Sequence, residues 1–213
     1  MSAALKIAVF TRAPIPGAAK TRLIPALGAE GAAQLHAALA EHAIRQALDS
    51  NTGPVELWCA PDASHPFFAQ CAREHGVTLR AQPAGDLGDK MLAAFVAANG
   101  PLLLMGSDCP SITAADLRTC AGELAAGADA VFLPAEDGGY GLVGATRPIP
   151  EIFAGVEWGG PRVMAQTREK LEASSLRWCE PRVVWDVDLP EDYERLQREA
   201  VLGARLPIAR PGD

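Results

Sequence analysis

A chain of 213 residues, 49% of them hydrophobic, is long enough to bury the core of one domain and carries no sign of a second. Its formal net charge of −7 argues against general nucleic-acid binding, and no apolar run approaches the roughly 20 residues that cross a bilayer. Met1 to Leu5 lack the basic start and long apolar core of a signal peptide, so a cytoplasmic protein without a membrane or nucleic-acid partner is expected. The cysteines, Cys59, Cys71, Cys109, Cys120 and Cys179, are odd in number and lack C-x-x-C spacing, which suits inert thiols better than zinc or redox sites.

Residues 5–10, with β-branched Ile7 and Val9, read as a buried strand that empties into a Pro/Gly loop carrying Arg12, Lys20 and Arg22. Three cations on one loop of an acidic chain suit an anion such as a phosphate chain; a solvated loop is the alternative. The loop is not a Walker A motif, because Ala19 and Pro14 stand where glycines are needed and Pro25 would interrupt the helix after the lysine. The dinucleotide fingerprint is absent too, so side chains must do most of the holding, with Gly17 allowing one close backbone approach.

A helix is expected over 28–50, and its His36 and His42 lack a partner motif and read as core or surface residues. A strand over 55–59, a helix over 64–75 and a short strand over 77–80 follow. The loop containing Gly85, Asp86 and Gly88 leads into a helix over 89–98, whose free N–H groups could face a ligand; the glycines could equally be turn residues. Residues 101–105 form an apolar strand ending in Gly-Ser-Asp-Cys-Pro. Asp108 thus sits at the carboxyl end of a central strand, where ligands bind in open α/β sheets, although it could instead cap a local turn.

Thr113 is placed as the cap of a helix reaching about 126, with Asp116 completing the box. A strand over 128–134 delivers Glu136, Asp137, Gly138, Gly139 and Tyr140, which read either as a hairpin turn or as a substrate loop. A strand over 141–145, a loop containing Trp158 and a helix over 161–173 come next. The last strand, 177–185, is interrupted by Pro181. It ends at Asp186 and Asp188, ahead of a helix to about 201 and a loose tail over 203–213. Asp188 and Glu191 have capping-box spacing. Asp186 has no such role, and two carboxylates one residue apart on an extended segment point the same way, as a hard divalent cation requires. The alternation of β and α predicts a three-layer α/β/α domain with a mostly parallel mixed sheet over 1–202.

Five stretches taken together resemble a bacterial family of glycosyltransferase-A-like proteins of unknown substrate, the DUF2064 type. They are Phe10-Thr-Arg-Ala-Pro-Ile-Pro-Gly-Ala-Ala-Lys-Thr-Arg-Leu, Gly85-Asp-Leu-Gly, Gly106-Ser-Asp-Cys-Pro, Pro134-Ala-Glu-Asp-Gly-Gly-Tyr and Asp186-Val-Asp-Leu-Pro-Glu-Asp-Tyr. The family looks related to nucleotidyltransferases such as 2-phospho-L-lactate guanylyltransferase. The resemblance implies the glycosyltransferase-A fold and a Mg²⁺- or Mn²⁺-dependent transferase taking a nucleotide and a small-molecule acceptor. It implies that Lys20 and Arg22 cradle phosphates, that the Gly85 to Gly88 loop, with Asp86 and Gly88, lies at the nucleoside, and that Asp108, Asp186 and Asp188 hold the metal; Arg12, on the same basic loop, is expected to join Lys20 and Arg22. Asp137, Gly138, Gly139 and Tyr140 would line the substrate loop, and a homodimer is allowed. Nucleotidyl transfer to a phosphorylated acceptor is the leading expectation. Glycosyl transfer, with Asp137 or Glu136 as base, is the alternative because this first loop is proline-rich where nucleotidyltransferases are glycine-rich. A nucleotide-binding module without turnover is the third reading.

Overall fold

Alternation along the first strand decides the architecture. In β1 (Lys6–Arg12), Ile7 and Val9 face one way and Ala8 and Phe10 the other, yet all four are buried, so each face of the strand must be covered. The same holds for β4 (Leu102–Gly106), where four consecutive apolar residues are buried. The computed structural model describes residues 4–199. With β2 (Val55–Ala60), β3 (Thr78–Ala81), β5 (Ala130–Pro134), β6 (Tyr140–Ala145) and β7 (Trp178–Cys179), these strands form one sheet in the order β3-β2-β1-β4-β6-β5-β7. Only β6 runs antiparallel to its neighbours, which makes the sheet mostly parallel and mixed.

Two cores sandwich the sheet. On one face Ile7, Val9, Leu57, Leu103 and Met105 pack against Ala43 and Ile44 of α1 (Ile24–Ser50), Phe68 of α2 (Pro66–His75), and Leu117 and Leu124 of α4 (Ala114–Ala125). On the other, Ala8, Phe10, Trp58, Leu102 and Leu104 pack against Met91 and Phe95 of α3 (Leu87–Ala98) and Met164 and Leu171 of α5 (Val163–Ala173). The result is the expected three-layer α/β/α arrangement. A third cluster joins Leu23, Leu35 and Leu39 to Trp185, Val187, Tyr193 and Leu196, which seats the C-terminal segment and α6 (Pro190–Arg198) against the start of α1. Among the described residues no helix is long and apolar enough to cross a membrane.

Several boundaries differ from the expectation, each for a local reason. Arg12 is the last residue of β1, because the strand continues pairing with β2 as far as Ala60. α1 begins with a short turn at Ile24 and breaks at Gly28, whose φ of 70° and ψ of 170° no helix accepts, so the regular helix starts just after it. α3 starts at Leu87, two residues early, because Asp86 caps it: Asp89 N donates to Asp86 Oδ1 at 2.8 Å and Asp86 N donates to Asp89 Oδ2 at 3.2 Å. The expected last strand is only Trp178–Cys179, followed after Pro181 by a single bridge between Ala135 and Val184. The capping box expected from Asp188 and Glu191 is instead supplied by Asp192, which accepts from the N–H groups of Asp188 and Leu189 at 3.0 and 2.7 Å. The Asp188 carboxylate is left free for other work. The loose tail expected over 203–213 and the end of the helix to 201 lie outside the described residues.

Candidate phosphate and metal site

β1 and β4 lie side by side at the centre of the sheet, but the chain leaves β1 toward β2 and leaves β4 toward the β5–β6 side. The loops at their carboxyl ends therefore diverge and open a crevice, the place where ligands bind in open α/β sheets. The basic loop enters it from β1. Gly17 turns at φ 80°, and Lys20 adopts the left-handed conformation at φ 46°, ψ 48°, uncommon for a residue with a side chain. This directs Lys20 inward. Its side chain is only 7% exposed, and its Nζ lies 3.5 Å from Asp108 Oδ2 and 3.9 Å from Asp188 Oδ1. Arg22 Nη1 donates to Asp188 Oδ2 at 2.6 Å from a far more exposed position. Arg12 and Gly17 are exposed at the mouth of the same loop.

The C-terminal carboxylates reach this crevice because the segment 185–188 is extended and pinned. Trp185 and Val187 point into the third cluster, so Asp186 and Asp188 point away from it. Val187 N donates to the Asp108 carbonyl at 2.9 Å, and the Ser111 hydroxyl bonds both the N–H and the carbonyl of Trp185 at 3.0 and 3.1 Å. The structure thus brings Lys20, Arg22, Asp108, Asp186 and Asp188 together. Partial burial is the largest single influence on Asp108 and would raise its pKa, but the Lys20 ammonium together with backbone hydrogen bonding holds the carboxyl below its ordinary value. Asp186 goes the other way. Burial first, then the negative charges of Asp108 and Asp137, push its pKa up to about 6. Asp186 is a carboxylate short of a cation, while Asp188 has two.

Three carboxylates from two adjacent segments offer only hard oxygen donors, which fits Mg²⁺ or Mn²⁺ and not a softer metal. Among the described residues no three acidic, His or Cys side chains already converge on one point, and Asp188 is paired with Lys20 and Arg22.

Sequence reasoning missed the support beneath this loop. His36, on α1, is buried, and its Nε2 lies 3.0 Å from the Arg12 carbonyl and 3.3 Å from Thr11 Oγ1. A carbonyl only accepts, so Nε2 carries the proton. Burial, with Lys20 adding to it, lowers the His36 pKa and keeps the ring neutral. The Ser107 hydroxyl donates to Thr11 Oγ1 at 3.0 Å. The chain His36–Thr11–Ser107 therefore couples the end of β1 to the residue before Asp108.

The remaining expected site residues lie in a second group. Asp86 commits one carboxylate oxygen to the helix cap, and Gly88 is buried where a Cβ would come within 2.8 Å of the Trp158 indole. Ala135 to Gly139 form a hairpin turn: Ala135 N donates to the Gly139 carbonyl at 2.9 Å, and Gly139 N donates to Asp137 Oδ1 at 2.8 Å. A Cβ on Gly138 would fall 1.9 Å from the Pro161 carbonyl oxygen, so this glycine is required for backbone packing. Tyr140 packs edge-on against Phe132 and Trp158, and its hydroxyl meets the Met91 sulfur at 3.8 Å; burial raises its pKa. Glu136 is engaged by Arg195 Nη1 at 2.8 Å, whose guanidinium also stacks on Trp185. Of this group Asp137 bears on the crevice, its charge helping to raise the Asp186 pKa.

Comparison with solved structures finds the same fold repeatedly. A protein from Desulfovibrio desulfuricans G20, whose assignment as a nucleotide-diphospho-sugar transferase is itself provisional, is 28% identical with a TM-score of 0.83, covering 98% of this chain and 93% of its own. A CMP:2-keto-3-deoxy-manno-octonic acid synthetase solved with CTP has a TM-score of 0.61 at 12% identity, covering 94% and 99% of the two chains. Glucosyl-3-phosphoglycerate synthase from Mycobacterium tuberculosis, solved with Mn²⁺, UDP and glucosyl-3-phosphoglycerate, has a TM-score of 0.56 at 12% identity, covering 98% and 82%. The fold is that of the nucleotide-diphospho-sugar transferases, as the sequence resemblance implied. No curated protein matches the chain. Residues 43–160 match the profile described as an uncharacterized protein conserved in bacteria (DUF2064), and the chain belongs to that family.

Proposed function

We propose that residues 1–202 act as one nucleotide-binding domain that transfers a nucleotidyl group from a nucleoside triphosphate to a small phosphorylated acceptor, releasing pyrophosphate. The observation that carries this reading is the nearly buried Lys20 held between Asp108 and Asp188 at the divergence of β1 and β4. A phosphate-binding cation and the metal-binding carboxylates then share one crevice. Asp108 and Asp186, with Asp188 beside them, would hold Mg²⁺ or Mn²⁺. When bound, that ion supplies charge neutralisation, so that two phosphates can approach. Lys20, Arg22 and Arg12 receive the phosphate chain and stabilise the charge that collects on departing pyrophosphate. A phosphorylated acceptor is already ionised at neutral pH, so the chain needs no side-chain nucleophile or strong base.

Glycosyl transfer from a nucleotide sugar is the second reading, favoured by the similarity to the Desulfovibrio protein. It requires a base for a neutral hydroxyl, and with Glu136 held by Arg195, Asp137 is the candidate. Asp137→Asn separates the two. Abolished turnover with intact donor binding supports glycosyl transfer; near-normal turnover supports nucleotidyl transfer.

The direct test is a thermal-shift panel of nucleoside triphosphates, diphosphates and nucleotide sugars, with and without Mg²⁺, on wild type and Asp108→Ala. A ligand at about a hundred times its Kd stabilises by about 2.7 kcal/mol, or roughly 5–10 °C for a chain of this size. Triphosphates should give the largest shift, only with Mg²⁺ and only in wild type. The absence of any nucleotide response would remove both catalytic readings.

A further inference from the structure

The carboxylates available to a divalent ion already have a cation among them. Lys20 Nζ lies within 4 Å of both Asp108 and Asp188, Arg22 takes the other oxygen of Asp188, and the Lys20 side chain is almost fully withdrawn from solvent. This placement is imposed, since it uses a left-handed backbone conformation that a residue with a Cβ adopts reluctantly. Asp108, Asp186 and Asp188 carry three negative charges against the two positive charges of Lys20 and Arg22. A dication added alone brings two positive charges beside the Lys20 ammonium. A dication arriving with a phosphate chain brings the anion that Lys20 can turn to.

We propose that Lys20 is a resident counter-ion of Asp108 and Asp188 that makes divalent-metal binding and phosphate binding mutually dependent: it opposes the bare ion and favours the ion–phosphate complex. This rests on the functional reading above and adds to it an order of events. The metal enters with the nucleotide, and Lys20 moves from the carboxylates to the phosphates as it does so. The coupling is reciprocal, so a phosphate chain raises the affinity for metal as much as metal raises the affinity for phosphate.

The test is calorimetric titration of wild type, Lys20→Met and Lys20→Arg with Mn²⁺ alone and with preformed Mn²⁺–pyrophosphate, folding being checked by far-UV circular dichroism. An ammonium 3.5 Å from one carboxylate and 3.9 Å from a second is strong enough for its removal to change affinity about tenfold. Lys20→Met should bind Mn²⁺ alone about tenfold more tightly and Mn²⁺–pyrophosphate about tenfold more weakly than wild type. Lys20→Arg, which keeps the charge, should stay close to wild type for Mn²⁺ alone. Unchanged or weaker binding of Mn²⁺ alone by Lys20→Met, with wild type still binding Mn²⁺–pyrophosphate, overturns the counter-ion role and leaves the functional reading standing. Failure of wild type to bind Mn²⁺–pyrophosphate at all removes the functional reading and this proposal with it.

Discussion

Replacing Asp186 with asparagine should stabilise the metal-free protein while weakening its hold on divalent ions. Burial and the charges of Asp108 and Asp137 raise the Asp186 pKa from 3.8 to about 6. Between those values the folded state binds a proton more readily than the unfolded chain, so stability falls as pH rises through the window, and the full penalty is present above it. Two pKa units correspond to about 3 kcal/mol, which the residual solvent contact of the side chain trims to about 1–2 kcal/mol. For a chain of about 200 residues the expected gain in Tm is about 3–6 °C near pH 8 in chelator. Asparagine resembles the protonated acid, so the gain should shrink as pH falls below 6 and vanish near 4. Millimolar Mg²⁺ with a nucleoside triphosphate should reverse the order, because wild type alone keeps the ligand. Differential scanning fluorimetry across pH, with and without Mg²⁺–nucleotide, reads all of this. A variant no more stable than wild type near pH 8 in chelator would refute the claim that burial and the neighbouring carboxylates penalise the ionised Asp186.

His36 gives the opposite acid limb: burial lowers its pKa from 6.5, so its contribution is intact above that value and is lost as pH falls toward the folded pKa. His36→Gln should flatten the decline in Tm below pH 6.5, and a slope unchanged from wild type would show that His36 does not titrate in unfolding. Gly138→Ala places a Cβ on the Pro161 carbonyl at a φ of 90° and should cost more than about 2 kcal/mol, seen as a Tm loss of at least about 4 °C. A neutral result would mean that the hairpin does not seat there. Gly88→Ala drives a methyl into the Trp158 indole. It should shift the tryptophan emission with a smaller loss of about 1–3 kcal/mol, whereas an unaltered spectrum would contradict that packing.

What could be read from the sequence was what neighbouring residues decide among themselves. The apolar run at β4, the Thr113–Asp116 box and the Asp137 turn each depend on contacts a few positions apart, and each is found in the structure. The three-layer fold follows from such elements in order. The start of α3 lies two residues before the expected one and the box at α6 uses Asp192 in place of Glu191, because acidic side chains near each helix start have compatible spacing and geometry alone selects among them. His36 illustrates the harder case. On the helical pattern it is one more buried position, and its use appears only when Thr11 and the Arg12 carbonyl, 25 and 24 positions away, come within hydrogen-bond reach.

The electrostatics of the site lie further still from any local pattern. Asp186 and Asp188 are matched in type and spacing, and an extended segment does turn both toward the crevice, yet they differ in condition: one lacks a counter-charge, the other has two. The difference arises because Arg22, 166 positions away, meets Asp188, while burial first, and then the charges of Asp108 and Asp137, bear on Asp186. A motif names which residues can hold a cation. Which of them lacks one is decided by the fold, and the Trp185 and Val187 anchors, by holding the segment extended, keep Asp186 in that position at a cost to stability.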